Sequence, residues 1–239
     1  GQIGSDLVGL VIARGVELLS RVPSRLFGAG VEVPGSVADP AIAEGFARSV
    51  LATHTRLFAP GNNASDFVLV SNDLDAGMRT LGFAQTSGGL RVVGGQVSFR
   101  FKNDRLFMIG SEALPSVPAL AVPASIDANK VEAAALRWVE ADFGMSRAGA
   151  MGAAVILPHR DAFGTLRYAV AVPIEVTPMM VTARYRVWID ATSHRPLVRE
   201  QLLHFASAPV NVRVPHRAPT VGDRFRAPAL LTQANVAGQ

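Results

Sequence analysis

The sequence predicts an α+β protein, and three observations predict it. Residues 78–110 read as a three-stranded antiparallel meander. Two helical stretches, residues 39–58 and about 125–143, each precede strand-like segments. Four further strand-like runs follow the second helix, separated by turn-forming clusters. A helix followed by strands joined through short turns makes an antiparallel sheet with a helix on one face. Each half of the chain reads this way, so the prediction is two small domains of one helix and one sheet.

Taken in order, residues 5–34 carry apolar clumps at 8–13 and 16–19, then Pro23, Gly28 and Gly30. Period alone does not separate strand from helix here. Pro and Gly favour extended chain, so residues 1–38 are expected to be lead-in strands. Asp39 followed by Pro40 opens a helix, because Asp caps well and Pro is tolerated at the first helical position. Ile42, Phe46, Val50 and Leu57 recur near a helical period, flanked by Ala43, Ala47 and Leu51. The run Ala59-Pro60-Gly61-Asn62-Asn63 should end the helix after Phe58. A short strand over 66–71 should then turn at Asn72-Asp73.

Within the meander, Val97, Phe99 and Phe101 alternate with Gln96, Ser98, Arg100 and Lys102. This puts one apolar face inward, against Phe46 and Val50 of the helix. Ser87-Gly88-Gly89 and Lys102-Asn103-Asp104 are the turns. Gly94-Gly95 inside the middle strand marks a bulge or a close approach.

Pro115, Pro118 and Pro123 punctuate residues 114–124, as in a linker between domains. Ser125 or Asp127 caps the second helix, which ends at Gly144. Val131, Ala134, Ala135, Trp138 and Asp142 form its stripe, widened by Val139 and Phe143. Strands are expected at 153–158, 166–176, 181–190 and 196–206. After Ala208, prolines alternate with arginines, as in a linker or extended tail.

Two stretches resemble known families. The run from Gln85 through Gly89, Val93, Gly94 and Gly95 resembles the FTP motif of fungalysin/thermolysin propeptides, with Arg91-Val92 in place of a small apolar-Pro pair. The helix from Ser125, with the later strand ending in Asp190-Ala191, resembles the PepSY domain, with Ser193-His194 where that family usually has Gly. FTP followed by PepSY is the propeptide order of secreted zinc metalloproteases. The resemblance implies cystatin-like or PepSY-like domains over 39–114 and 125–208, with a tail over 209–239. It implies structural roles for Gln85, Gly89, Val93, Gly94, Gly95, Asp190 and Ala191. It further implies a bacterial, exported chain that folds with and inhibits the protease's catalytic domain, in cis or in trans. Tail residues Arg213, His216, Arg217, Arg224 and Phe225 are the candidates for contacting it. The resemblance makes Arg224-Phe225 and Ala229-Leu230 candidate processing points; the alternative is a linker, or a first strand of a following module over 229–236. The alternative is a binding or assembly module of the same fold in a larger extracellular protein.

Composition narrows the chemistry. Of 239 residues, 49% are hydrophobic and 18% charged, which fits a globular chain. There is no cysteine, so disulfides, zinc-thiolate sites and cysteine nucleophiles are excluded. The net charge is +4, and residues 1–210 carry only +1 of it, too little for a duplex-binding face. No apolar run approaches a membrane span, and no leader-like segment opens the chain, which begins at Gly1.

No H-E-x-x-H, G-x-S-x-G, S-x-x-K or P-loop occurs. The histidines His54, His159, His194, His204 and His216 have no partner at metal spacing. His159-Arg160-Asp161 reads as a solvated turn, and His54 and His204 as structural. Glu140 and Asp142, two apart on a helix, do not face one another. Asp73 and Asp75 lack the ligand count of a calcium loop. The expectation is a chain without catalytic residues, cofactor or metal.

Overall fold

The computed structural model describes residues 10–16, 23–161 and 163–203. The chain divides into two compact units, Gly1–Glu200 and Gln201–Gln239. Apart from residues 201–203, all that follows lies in the first.

The fold is α+β, with two helices on an extensive mixed sheet. In chain order the elements are β1 (Leu10–Val16), β2 (Pro23–Glu32), α1 (Pro40–Phe58), β3 (Phe67–Asp75), β4 (Met78–Ser87), β5 (Leu90–Lys102) and β6 (Arg105–Ser111). Then come α2 (Ala128–Phe143), β7 (Ser146–Met151), β8 (Val155–Arg160), β9 (Leu166–Pro178), β10 (Tyr185–Asp190) and β11 (Pro196–Gln201). The strands lie in the order β1-β2-β6-β5-β8-β9-β10-β11, with β3-β4 branching from β5 and β7 from β9.

Local chemistry fixes the first helix. The Asp39 carboxylate accepts the Ala41 N–H at 2.8 Å, and Pro40 sits at the first helical position. The buried stripe is Ala43, Ala47, Val50, Leu51 and Phe58. This corrects the expected stripe: Ile42 is exposed, and Phe46 and Leu57 are only partly buried. Small alanines at the contact let the helix lie close to the sheet.

The meander has the expected register. Leu81 pairs with Phe99 and Phe99 with Ile109, all fully buried. Phe99 meets Phe83 edge-on at 5.7 Å, and Phe101 meets Phe46 at 6.4 Å. Asn103 and Asp104 both take positive φ, 51° and 52°, at the β5–β6 turn. Backbone N–H groups of Val37 and Gly35 hold the Asp104 carboxyl below its ordinary range. They tie this turn to the segment before α1, where the Val37 N–H bond measures 3.0 Å.

Two expectations fail around β3. The strand runs on to Asp75, and the turn falls at Ala76-Gly77, both with positive φ. Asn72 does not turn the chain because its side chain is engaged elsewhere. Its Nδ2 donates to the Pro40 carbonyl at 3.0 Å, and its Oδ1 accepts from Arg79 Nη1 at 2.9 Å. Arg79, only 5% exposed, spends its other donors on the Val37 and Ala38 carbonyls. Asp73 and Asp75 are therefore strand residues, and no turn falls at Asn72-Asp73.

The second helix is capped by Asp127, whose carboxylate accepts the Lys130 N–H, and stops at Gly144 with φ 72°. Val131, Ala134, Ala135 and Val139 pack on Val170, Val172, Ile174 and Val176 of β9. Five strands follow rather than four, since β7 was not expected. The strand expected at 181–190 starts only at Tyr185.

Two main hydrophobic cores result, one under each helix. They belong to one compact unit, and a parallel bridge between Val92 of β5 and Ile156 of β8 makes the sheet continuous. Residues 114–117 are not free linker: Leu114 and Val117 are buried in a small third core with Val92 and Ile156.

Candidate functional site

The residues that carry the FTP resemblance build a joint in the sheet. Strands β4 and β5 pair regularly as far as Ala84 with Gln96, then resume at Thr86 with Arg91. Residues 92–95 are thus looped against Gln85 alone, a wide bulge that redirects β5 toward β8. Gly94 takes φ 76°, where a side chain would be strained. Gly95 is needed for space: a Cβ there would lie 2.5 Å from Gln85 Oε1. Gly88 and Gly89, with φ 57° and 82°, close the β4–β5 hairpin.

Gln85 is fully buried and clamps one residue twice. Its Nε2 donates to the Leu114 carbonyl, and its Oε1 accepts the Leu114 N–H, both at 2.8 Å. The side-chain amide therefore stands in for a neighbouring strand's peptide group. Asn62, past the end of α1, adds a second donor to the Leu114 carbonyl at 2.9 Å and accepts the Val117 N–H at 3.3 Å. Ser87 Oγ donates to the Val117 carbonyl at 3.3 Å. The 114–117 strap is thus tied to the end of α1 and to β4. Val93 packs on a cluster of Leu157, Ala171 and Trp188 across the joint.

Asp190 and Ala191 end β10 in a built turn. One Asp190 oxygen accepts the Thr192 N–H at 3.0 Å, the Ser193 N–H at 2.6 Å and the Ser193 hydroxyl at 2.9 Å. The missing glycine is replaced by His194, which itself takes φ 56°. Ala191 is buried. The structure does not bring this turn into contact with the Gln85 joint.

The face of the β9–β10 sheet turned away from α2 holds a cleft of about 660 Å³. Arg91, Val93 and Gly94 of β5 line it, with Pro173, Glu175, Arg184, Arg186 and Trp188. Glu175 accepts a hydrogen bond from Arg184 and lies 3.8 Å from Arg186. Arg186 covers the Trp188 ring at 5.9 Å. Nothing in the sequence reading pointed to this cleft. The arginines were visible, but their convergence depends on the β5–β8 bridge and on β7.

The remaining titratable candidates make local contacts. Asp161 accepts the Phe163 and Thr165 N–H groups and pairs with Arg167 at 3.0 Å. The Arg167 hydrogen bond, then that of Thr165, holds its carboxyl below the ordinary range. Asp142 pairs with Arg199 at 2.6 Å, and Arg199 lies within 5.5 Å of the Trp138, Phe143 and Tyr185 ring centres. His54 sits at a non-helical point inside α1, φ −122°, and its Nε2 has no hydrogen-bond partner. Among the described residues no three His, Cys, Asp or Glu side chains group as metal ligands, and no helix is long and apolar enough to cross a membrane. Arg213, His216, Arg217, Arg224 and Phe225 lie outside the described residues, as does His204.

No family model matches the chain, and no curated protein matches it. The FTP and PepSY resemblances rest on their motif residues alone. Among solved structures, the chain is similar to the Bacillus megaterium YpeB C-terminal domain. That similarity covers 76% of this chain and 73% of the other, at 12% identity and a TM-score of 0.36.

Proposed function

We propose that this chain is a non-catalytic propeptide of an exported zinc metalloprotease, assisting its folding and covering its cleft. The observation that carries the reading is the Gln85–Gly95 joint. The residues of the FTP-like motif form one local device, a bulge in which the buried Gln85 is doubly hydrogen-bonded and packs against Gly95. The PepSY-like Asp190-Ala191 ending follows it in the order that such propeptides use. On this reading the two helix-on-sheet halves act as two modules, and any peptidase chemistry belongs to a separate domain.

Inhibition by a propeptide needs area and shape rather than reactive groups. About 800 Å² per partner with an extended segment through the cleft is sufficient. The second reading, a binding module of a larger extracellular protein, draws its support from the arginine-lined cleft, which needs no protease as partner.

The test compares the full chain with one lacking residues 211–239. Removal should leave the thermal midpoint nearly unchanged. It should weaken inhibition of a thermolysin-type catalytic domain tenfold or more, about 1.4 kcal/mol. A large drop in midpoint with inhibition intact would contradict the assignment of Arg213, His216, Arg217, Arg224 and Phe225 to the partner.

A further inference from the structure

The cleft on the open face of the β9–β10 sheet does not end at Trp188. It continues past Glu175 and Arg184 into a second hollow of about 400 Å³ lined by Arg147, Ala148, Gly149 and Ala150 of β7. The two share Ala150, Glu175 and Arg184, so they form one groove running from the β5 bulge along β7.

Two features of the groove point to one kind of occupant. The first is charge: Arg91, Arg147, Arg184 and Arg186 line it against a single carboxylate, Glu175. Arg184 and Arg186 share that carboxylate and Arg186 also lies 3.9 Å from Glu200, whereas Arg91 and Arg147 have no carboxylate within 4 Å among the described residues. The second is a free edge at the rim of the groove. Strand β7 pairs with β9 only, so the N–H and C=O groups on its other side have no strand partner among the described residues.

We propose that an extended acidic peptide segment adds to the free edge of β7, at the rim of this groove, and turns alternate carboxylates toward Arg91 and Arg147. Strand addition supplies affinity through main-chain hydrogen bonds and specificity through alternate side chains. Alternate residues of a strand share a face, so a pattern of every second residue acidic presents one row of charge. Nucleic acid fits less well, because Trp188 is 6% exposed beneath Arg186 and offers no open ring for base stacking. The proposal stands whether or not the partner is a protease.

The experiment is fluorescence anisotropy on the full chain with a labelled heptapeptide of alternating Glu and Val. Saturable binding is expected, weakened at least tenfold by Arg91→Glu or by Arg147→Glu. Both side chains are exposed and unpaired, so thermal midpoints of these variants should match the parent and exclude misfolding as the cause. Two further peptides carry N-methyl groups at odd or at even positions. One of the two should lose binding tenfold, because only one phase turns its N–H row toward β7. Equal binding of a Lys-Val peptide, or parent-like binding of both methylated peptides, would overturn the proposal. So would preferential capture of a single-stranded oligonucleotide or of phosphatidylglycerol vesicles, or Arg91-dependent self-association without peptide binding.

Discussion

Replacing Phe99 with alanine should lower the unfolding free energy by about 3–5 kcal/mol. Phe99 is fully buried at the centre of the meander, between Leu81 and Ile109 on the neighbouring strands, with Phe83 edge-on at 5.7 Å. Neighbours anchored in a sheet cannot collapse far into the void, so both the transfer cost and the cavity cost apply. The adjacent Arg100 points the other way and is exposed. Arg100→Ala should cost no more than about 0.5 kcal/mol. Denaturant melts of the two variants check the register, because a one-residue slip would exchange their effects.

Replacing Gln85 with alanine should destabilise by about 2–4 kcal/mol. Two buried hydrogen bonds are lost, and the Leu114 N–H is left without its acceptor. The Leu114 carbonyl keeps Asn62 as a donor, which limits the loss on that side. Gln85→Glu separates shape from hydrogen bonding. The carboxyl fills the same space, but when ionised it faces the Leu114 carbonyl with no proton to donate. Burial and this contact raise its pKa above the unfolded value of about 4.3. The protonated form restores the donor, so the variant is best matched to the parent below that pH. Its deficit grows as pH rises through the folded-state pKa. Urea melts of parent and variant at acidic and neutral pH check this; a deficit independent of pH would mean that the donor to Leu114 carries little of the joint's stability.

What the sequence made legible was local. Asp39 before Pro40, Asp127 before an alanine-rich run and Gly144 after it signal helix ends through capping alone. The alternation from Gln96 to Lys102 signals the core face through period alone. What stayed hidden depended on distant partners. Strand β7 contains Gly149 and two alanines, poor strand formers, and is extended because β9 pairs with it. Strand β3 runs through Asn72 because Arg79 and Pro40 occupy that side chain. The proline-punctuated strap reads as linker by composition, yet Gln85, Asn62 and Ser87 fasten it down. Gln85 itself was legible as a motif residue, but its role was not, since its partner Leu114 lies 29 residues away. The groove was least legible, for its arginines come from β5, β7, β10 and the residue before β10, which only the fold brings together.

On the proposed function, the chain acts by binding a zinc metalloprotease, without catalysis of its own. The most direct measurement is a titration of a thermolysin-type catalytic domain with the full chain, following peptidase activity and the mass of the complex together. Activity should fall to zero at one equivalent, with a one-to-one complex and no turnover from the chain alone. Undiminished activity with no complex at micromolar concentrations would contradict it, as would chelator-sensitive peptidase activity in the isolated chain.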